Sequence, residues 1–144
     1  MVTHFDHLTI VVRDPAQAKS FFALLGFSEA ISVVIKGPPF DAYMGVPGIE
    51  AEHITLVLDG ATPRTEIQLL HYRHPETLPD PHIRELNKLG MNHICFATTD
   101  IRGDVAKLRA AGFRTRNEIM DFHARLLVFI EGPEGVTVEL SQWH

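Results

Sequence analysis

The chain has 144 residues, 45% of them hydrophobic, with nine histidines, one cysteine and a formal net charge of −5 at pH 7. Such a composition supports a buried core, and a single cysteine excludes an intramolecular disulfide framework, which fits a reducing, cytoplasmic setting. No Lys/Arg stripe invites nucleic acid, no apolar stretch nears the ~20 residues that span a bilayer, and the opening MVTHFDH lacks the basic and apolar regions of a leader.

The first expected strand is HLTIVV, residues 7–12. Asp14 and Pro15 then suit the N-cap and first position of a helix over PAQAKSFFALLG, which Gly26 ends. Phe27–Ile35 is expected as a strand, followed by KGPPFDAYMGVPGIEAE, a Gly- and Pro-rich insertion expected to form a loop over one face. ITLVLDG (54–60) and QLLHY (68–72) read as two further strands. Residues 73–90 read as a connector with a short helix over about 79–89.

From residue 91 the pattern returns. A slide of 86 positions brings His7 onto His93, Asp14 onto Asp100, Gly26 onto Gly112 and Phe27 onto Phe113 (93 − 7, 100 − 14, 112 − 26, 113 − 27). IRGDVAKLRAAG thus repeats the helix, Phe113–Ile119 the strand after it, and LLVFIEG (126–132) and ELSQW (139–143) the closing pair, with GPEG as the turn between them. Each copy reads strand–helix–strand–strand–strand. The expected architecture is α+β: a single domain of two paired βαβββ modules, about 5–72 and 91–143.

Strand side chains alternate between faces. His7, Thr9 and Val11 therefore share one face, opposite Leu8, Ile10 and Val12, and His93 and Cys95 lie opposite Ile94 and Phe96. In the last strands Glu66, Gln68 and Leu70 share a face, as do Thr137 and Glu139. Repeat-equivalent positions thus hold His7 and Gln68 in one module and His93 and Glu139 in the other. All four can coordinate a metal, and a buried carboxylate needs such a partner, since isolating its charge costs several kcal/mol. Cys95 reads as a small core residue.

The stretches DHLTIVVRDPAQAKSFFALLGF, MNHICFATTDIRGDVAKLRAAGF and GPEGVTVELSQ resemble the vicinal oxygen chelate superfamily, which includes glyoxalase I, methylmalonyl-CoA epimerase, extradiol dioxygenases and bleomycin-resistance proteins. GMNHICFATTDI is most similar to the epimerase branch. The resemblance implies sheets that curl into a cup, helices outside, around one divalent metal held by His7, Gln68, His93 and Glu139. Zn, Ni, Co, Mn and Fe(II) all suit such mixed N/O donors. It further implies an isomerase or lyase that acts beside a carbonyl through a metal-stabilised enolate or enediolate, on a small molecule with a carbonyl or vicinal oxygens.

Glu139, the one carboxylate of the four, is the candidate base; Glu50, Glu52 and Glu66 are alternatives. On the third strands His53, Thr55 and Val57 are matched with Arg125, Leu127 and Phe129, which places His53 and Arg125 beside the substrate, with Phe40, Tyr43 and Met44 of the insertion covering it. Two rival functions follow from the same resemblance: an Fe(II) extradiol-type dioxygenase using His7, His93 and Glu139, and a non-catalytic drug-binding protein. Relatives suggest a homodimer, with the modules paired within one chain or across two.

Overall fold

The computed structural model describes all 144 residues, Met1 to His144. The chain forms two compact units, Met1–Pro79 and Asp80–His144, so the division falls inside the expected connector. Unit 1 runs β1 (His7–Val11), α1 (Pro15–Leu24), β2 (Phe27–Lys36), α2 (Pro38–Met44), β3 (Glu50–Leu58) and β4 (Glu66–His74). Unit 2 runs β5 (Ile94–Ala97), α3 (Ile101–Ala110), β6 (Met120–Asp121), β7 (Arg125–Glu131) and β8 (Thr137–Trp143). Each unit is one four-stranded mixed sheet. Their orders, β1-β4-β3-β2 and β5-β8-β7-β6, are the same arrangement written twice. In each, the first strand lies parallel to the last and the remaining pairs are antiparallel.

The helices form where their termini are chemically satisfied. Asp14 accepts the Gln17 N–H at 2.9 Å and Asp100 the Gly103 N–H at 2.9 Å, each filling one of the orphan donors of a first turn. Both helices end before a glycine in the left-handed region, Gly26 at φ 91° and Gly112 at φ 90°, a conformation that a Cβ would strain. One face of each helix is apolar at helical spacing. Ala18, Phe21 and Phe22 of α1 are fully buried, as are Ile101, Val105 and Leu108 of α3 to within 3%. Phe22 meets Phe21 and Phe27 edge-on, with ring centroids 5.2 and 5.7 Å away. Burial of such a side chain contributes about 1.5–3 kcal/mol. In unit 1 the core is completed by Ile10, Val12, Ile54, Leu56, Ile67 and Leu69, and in unit 2 by Val128, Ile130, Val138 and Leu140. Alternation then turns Gln68 and Glu139 to the opposite face of each sheet, beside apolar neighbours such as Leu70 and Phe129.

Three expectations are corrected. The insertion is not all loop: Pro38–Met44 is a helix, with Pro at its start and Gly45 at φ 64° after its end. Proline fits a first turn because its missing N–H has no partner there. The Asp41 carboxylate accepts the N–H groups of Gly48 and Ile49 at 2.9 and 3.0 Å, which folds the following loop back. Met44 and Val46 pack on Ile35, Ile49, Ala51 and Leu70. The connector, by contrast, holds no helix over 79–89. Its bonds, Ile83 N–H to Asp80 O, Glu85 to His82 and Lys88 to Glu85, span three residues and never propagate, so isolated turns result. Finally, Phe113–Ile119 runs beside β7 without forming a regular strand. A single Thr115–Ile130 bridge, flanked by the bonds Arg116 N–H to Phe129 O and Glu131 N–H to Arg114 O, is the one ladder pairing between them, and the Asn117 side chain accepts the Phe129 N–H at 2.9 Å.

Candidate metal and substrate site

Residues paired across neighbouring strands share a face, so register assembles the site. In unit 1 His7 lies opposite Glu66, and Thr9 opposite Gln68. Gln68 lies in turn opposite Thr55, and His53 opposite Leu70. The Gln68 amide is held from both ends. Its oxygen accepts from His53 Nε2 at 3.0 Å and from Thr9 Oγ1 at 3.4 Å, while its nitrogen donates to Glu66 at 2.9 Å. Glu66 also takes the Arg64 Nε–H at 2.6 Å. The Gln68 amide first, then Arg64, holds the Glu66 carboxyl below the usual carboxylate range. Asp6, His7 and Glu66 offer ligand atoms that all lie within 4.8 Å of one another, a grouping that could hold a cation.

In unit 2 Cys95 lies opposite Glu139, and Glu139 opposite Phe129. His93, immediately before β5, brings Nε2 to 3.3 Å from Glu139 Oε2, and its ring meets the edge of Phe129 at 5.2 Å. Glu139 is the more enclosed partner, its side chain 13% exposed against 31% for His93. Cys95 is not a core residue; alternation turns its thiol to the exposed His93 face. Partial burial, then a hydrogen bond to the Glu139 carboxylate and that group's charge, push the thiol up to about 12.

A second repeat surfaces only in the structure. His7 Nδ1 bonds Asp6 Oδ1 at 2.6 Å, and His93 Nδ1 bonds Asn92 Oδ1 at 2.8 Å. Each residue before the histidine thus accepts a hydrogen bond from Nδ1–H, the tautomer that leaves the Nε2 lone pair for a ligand. The only trace in the sequence is the pair of dipeptides DH and NH. Asp6, Asn92 and the Cys95–Glu139 contact were not singled out by sequence reasoning.

The remaining expected residues divide. His53 is on the site face, bonded to Gln68. Arg125 is on the corresponding face of unit 2, with its guanidinium 4.8 Å over the Trp143 ring. They are not equivalents, however. Thr55 faces Gln68 and Phe129 faces Glu139, intervals of 13 and 10 residues (68 − 55, 139 − 129). The shorter second hairpin makes Leu127 the repeat counterpart of His53, and Ala51 that of Arg125. On α2, Phe40 is 38% and Tyr43 86% exposed, while Met44 is drawn into the apolar cluster. Glu50 is paired with Arg73 at 3.4 Å; Glu52 binds Ser32 at 2.8 Å and lies 3.8 Å from His71.

The fold and the site define a class: a duplicated α+β protein whose two sheets each offer a Nδ1-tied imidazole and an oxygen donor on the polar face. These are donors that suit a divalent cation of the Zn, Ni, Co, Mn or Fe(II) group. The chain belongs to the Glyoxalase/Bleomycin resistance protein/Dioxygenase superfamily, whose sequence model matches residues 4–140. Among solved structures it is similar to a glyoxalase family protein from Bacillus cereus, with 24% identity, TM-score 0.90 and coverage of 99% of this chain and 95% of that one. An antibiotic-binding protein from a Streptomyces species is 20% identical with TM-score 0.65, over 99% of this chain and 98% of that one. A glyoxalase I variant from Zea mays is 12% identical with TM-score 0.68, over 95% of this chain and 44% of the longer one. At these identities the likeness is one of fold. No curated protein matches the sequence significantly.

Proposed function

We propose that this chain is a divalent-metal-dependent isomerase or lyase that moves a proton on the carbon beside a carbonyl, with His7, Gln68, His93 and Glu139 as the metal ligands. The observation that carries this reading is the His93–Glu139 pair, 3.3 Å apart with His93 Nδ1 already tied down. His7 and Gln68, on the corresponding strands of unit 1, complete a set of two imidazoles, one amide and one carboxylate. The cation, when bound, supplies Lewis-acid activation of the substrate carbonyl and so acidifies the neighbouring C–H.

The chain's own residues do the rest. Glu139 is the base: it takes the proton from carbon and returns it, and its low exposure keeps water from competing. The neutral Cys95 thiol donates to that carboxylate and steadies its orientation. With Gln68 serving as a ligand, the His53 N–H is released to a substrate oxygen. The ligand pairs serve one cation within a single domain or across the two chains of a cytoplasmic homodimer.

Protein purified without added ions is expected to carry stoichiometric metal, and His93→Ala to lose it while staying folded by circular dichroism. Deuterium from solvent is expected to enter acyl thioesters or 2-oxoaldehyde adducts beside the carbonyl. Unchanged metal content in His93→Ala would overturn the ligand assignment. Oxygen uptake on a catechol would replace proton transfer by dioxygenase chemistry, and a metal-free protein that binds a planar cationic drug would make it a binding protein.

A further inference from the structure

Unit 2 carries a half-open cavity of about 580 Å³ lined in part by Glu139. That volume lies within the ~300–1,000 Å³ of small-molecule pockets. Its walls are apolar side chains, Met120, Phe122, Leu127 and Phe129 among them. Phe129 is the ring that touches His93, so the cavity is continuous with the candidate metal-binding residues of this unit.

Two arginines break the apolar lining. Arg116 is half-buried, and its two hydrogen bonds go to backbone carbonyls, from Nη1 to Arg84 O at 2.6 Å and from Nη2 to Gly135 O at 3.2 Å. Its Nε is buried without a partner. Other arginines of the chain meet carboxylates: Arg64 with Glu66, Arg73 with Glu50, Arg109 with Glu118 and Arg114 with Glu131. Neutral carbonyls orient the Arg116 guanidinium but leave its charge uncompensated, which is costly in an apolar surrounding. Arg84 lines the same cavity, and its guanidinium packs on Gly135, where a Cβ would stand only 3.0 Å from Nε. The one carboxylate in the lining is Glu139, which the proposed chemistry commits to a cation.

We infer that this cavity takes a small carboxylic acid with an aryl or branched-alkyl body, the body against Phe122, Leu127 and Phe129 and the carboxylate on Arg116 and Arg84. The inference rests on the metal-dependent reading for the reaction and adds the substrate class. A planar guanidinium recognises a carboxylate through paired charge-assisted bonds. A neutral ligand would leave that charge as it is, and a cationic one would add to it.

The test is a ligand-observed NMR titration of the full chain with phenylacetate and with its neutral match, phenylacetamide. The acid is expected to bind at least about tenfold tighter than the amide, with the difference shrinking at high salt. Arg116→Gln is expected to abolish the preference. Because Arg116 also braces two carbonyls, Met120→Glu provides a second variant at a 47% exposed wall position. It is expected to weaken the acid about tenfold and the amide less than threefold. Equal binding of acid and amide, or an acid affinity untouched by Met120→Glu, would overturn the inference. Metal content measured on the same samples separates the two readings. Retained metal without acid preference sinks this inference alone, whereas acid preference without metal sinks the metal assignment alone.

Discussion

Cys95 and Glu139 face each other across β5 and β8, and partial burial of the thiol, with the carboxylate beside it as the smaller cause, inverts the usual expectation for an exposed cysteine. A thiol at about 12 is almost wholly protonated at neutral pH. At pH 8 its thiolate is roughly a thousandfold scarcer than in an ordinary cysteine, only partly offset by the greater nucleophilicity of a more basic thiolate. Iodoacetamide is therefore expected to alkylate the chelator-treated protein some thirtyfold or more slowly than free cysteine at pH 8. Removing the carboxylate in Glu139→Gln should speed the reaction, although burial, the larger cause, persists. Alkylation of the chelator-treated protein at the free-cysteine rate would contradict both the partial burial and the contact. The same scale shows what residue-by-residue reading missed. His7 and His93 stand out as a repeated pair, but the Asp6 and Asn92 side chains that orient them look like ordinary polar residues until their oxygens are seen at Nδ1.

The elements most legible in the sequence were those set by local chemistry. Asp-to-Gly frames around α1 and α3 work because cap and C′ glycine act within one turn. Asp14→Ala and Asp100→Ala are each expected to cost about 1 kcal/mol, within the ~0.5–2 of N-cap removal, read as a lower midpoint in urea with unchanged slope. A midpoint that does not move would mean that the frame is decorative. The elements that resisted reading are those decided by neighbours. α2 hides among three prolines and three glycines because breaker residues also make good helix ends, and its Met44 is held by a cluster that includes residues of β2, β3 and β4. In the 79–89 stretch Ile83, Leu86 and Leu89 recur at near-helical spacing, but Leu86 and Leu89 stay exposed, so no burial joins its turns into a helix. Phe113–Ile119 follows β7 only through scattered bonds, where β2, its counterpart, pairs with β3 along its whole length apart from one break at Glu29/Ile31.

At the scale of the whole molecule, each unit repeats the strand order of the other, and the family match spans both, residues 4–140. A cation bound by folded but not unfolded chain adds about 2.7 kcal/mol of stability when present at a hundredfold excess over its Kd. Chelation is therefore expected to lower Tm by something on the order of 5–10 °C, reversibly, and His93→Ala should not respond. A wild-type Tm indifferent to chelator and to added Zn or Ni would count against any bound cation. No helix is long and apolar enough to cross a membrane.

Helix frames and the alternation that sets His7 apart from Leu8 and His93 apart from Ile94 are present in the linear chain because each depends on residues within a turn or a pleat of one another, and the duplication is present because these local patterns recur 86 residues apart. Cross-strand partners are a different matter. Which third-strand residue stands beside Gln68 or Glu139 depends on hairpin length and on the register breaks at Glu29/Ile31 and Glu50/Ala51. Tertiary structure alone therefore matched His53 with Leu127, turned Cys95 toward Glu139, and drew Arg116, Arg84 and four apolar side chains around one cavity. Those relations join residues distant along the chain, and no local periodicity records them.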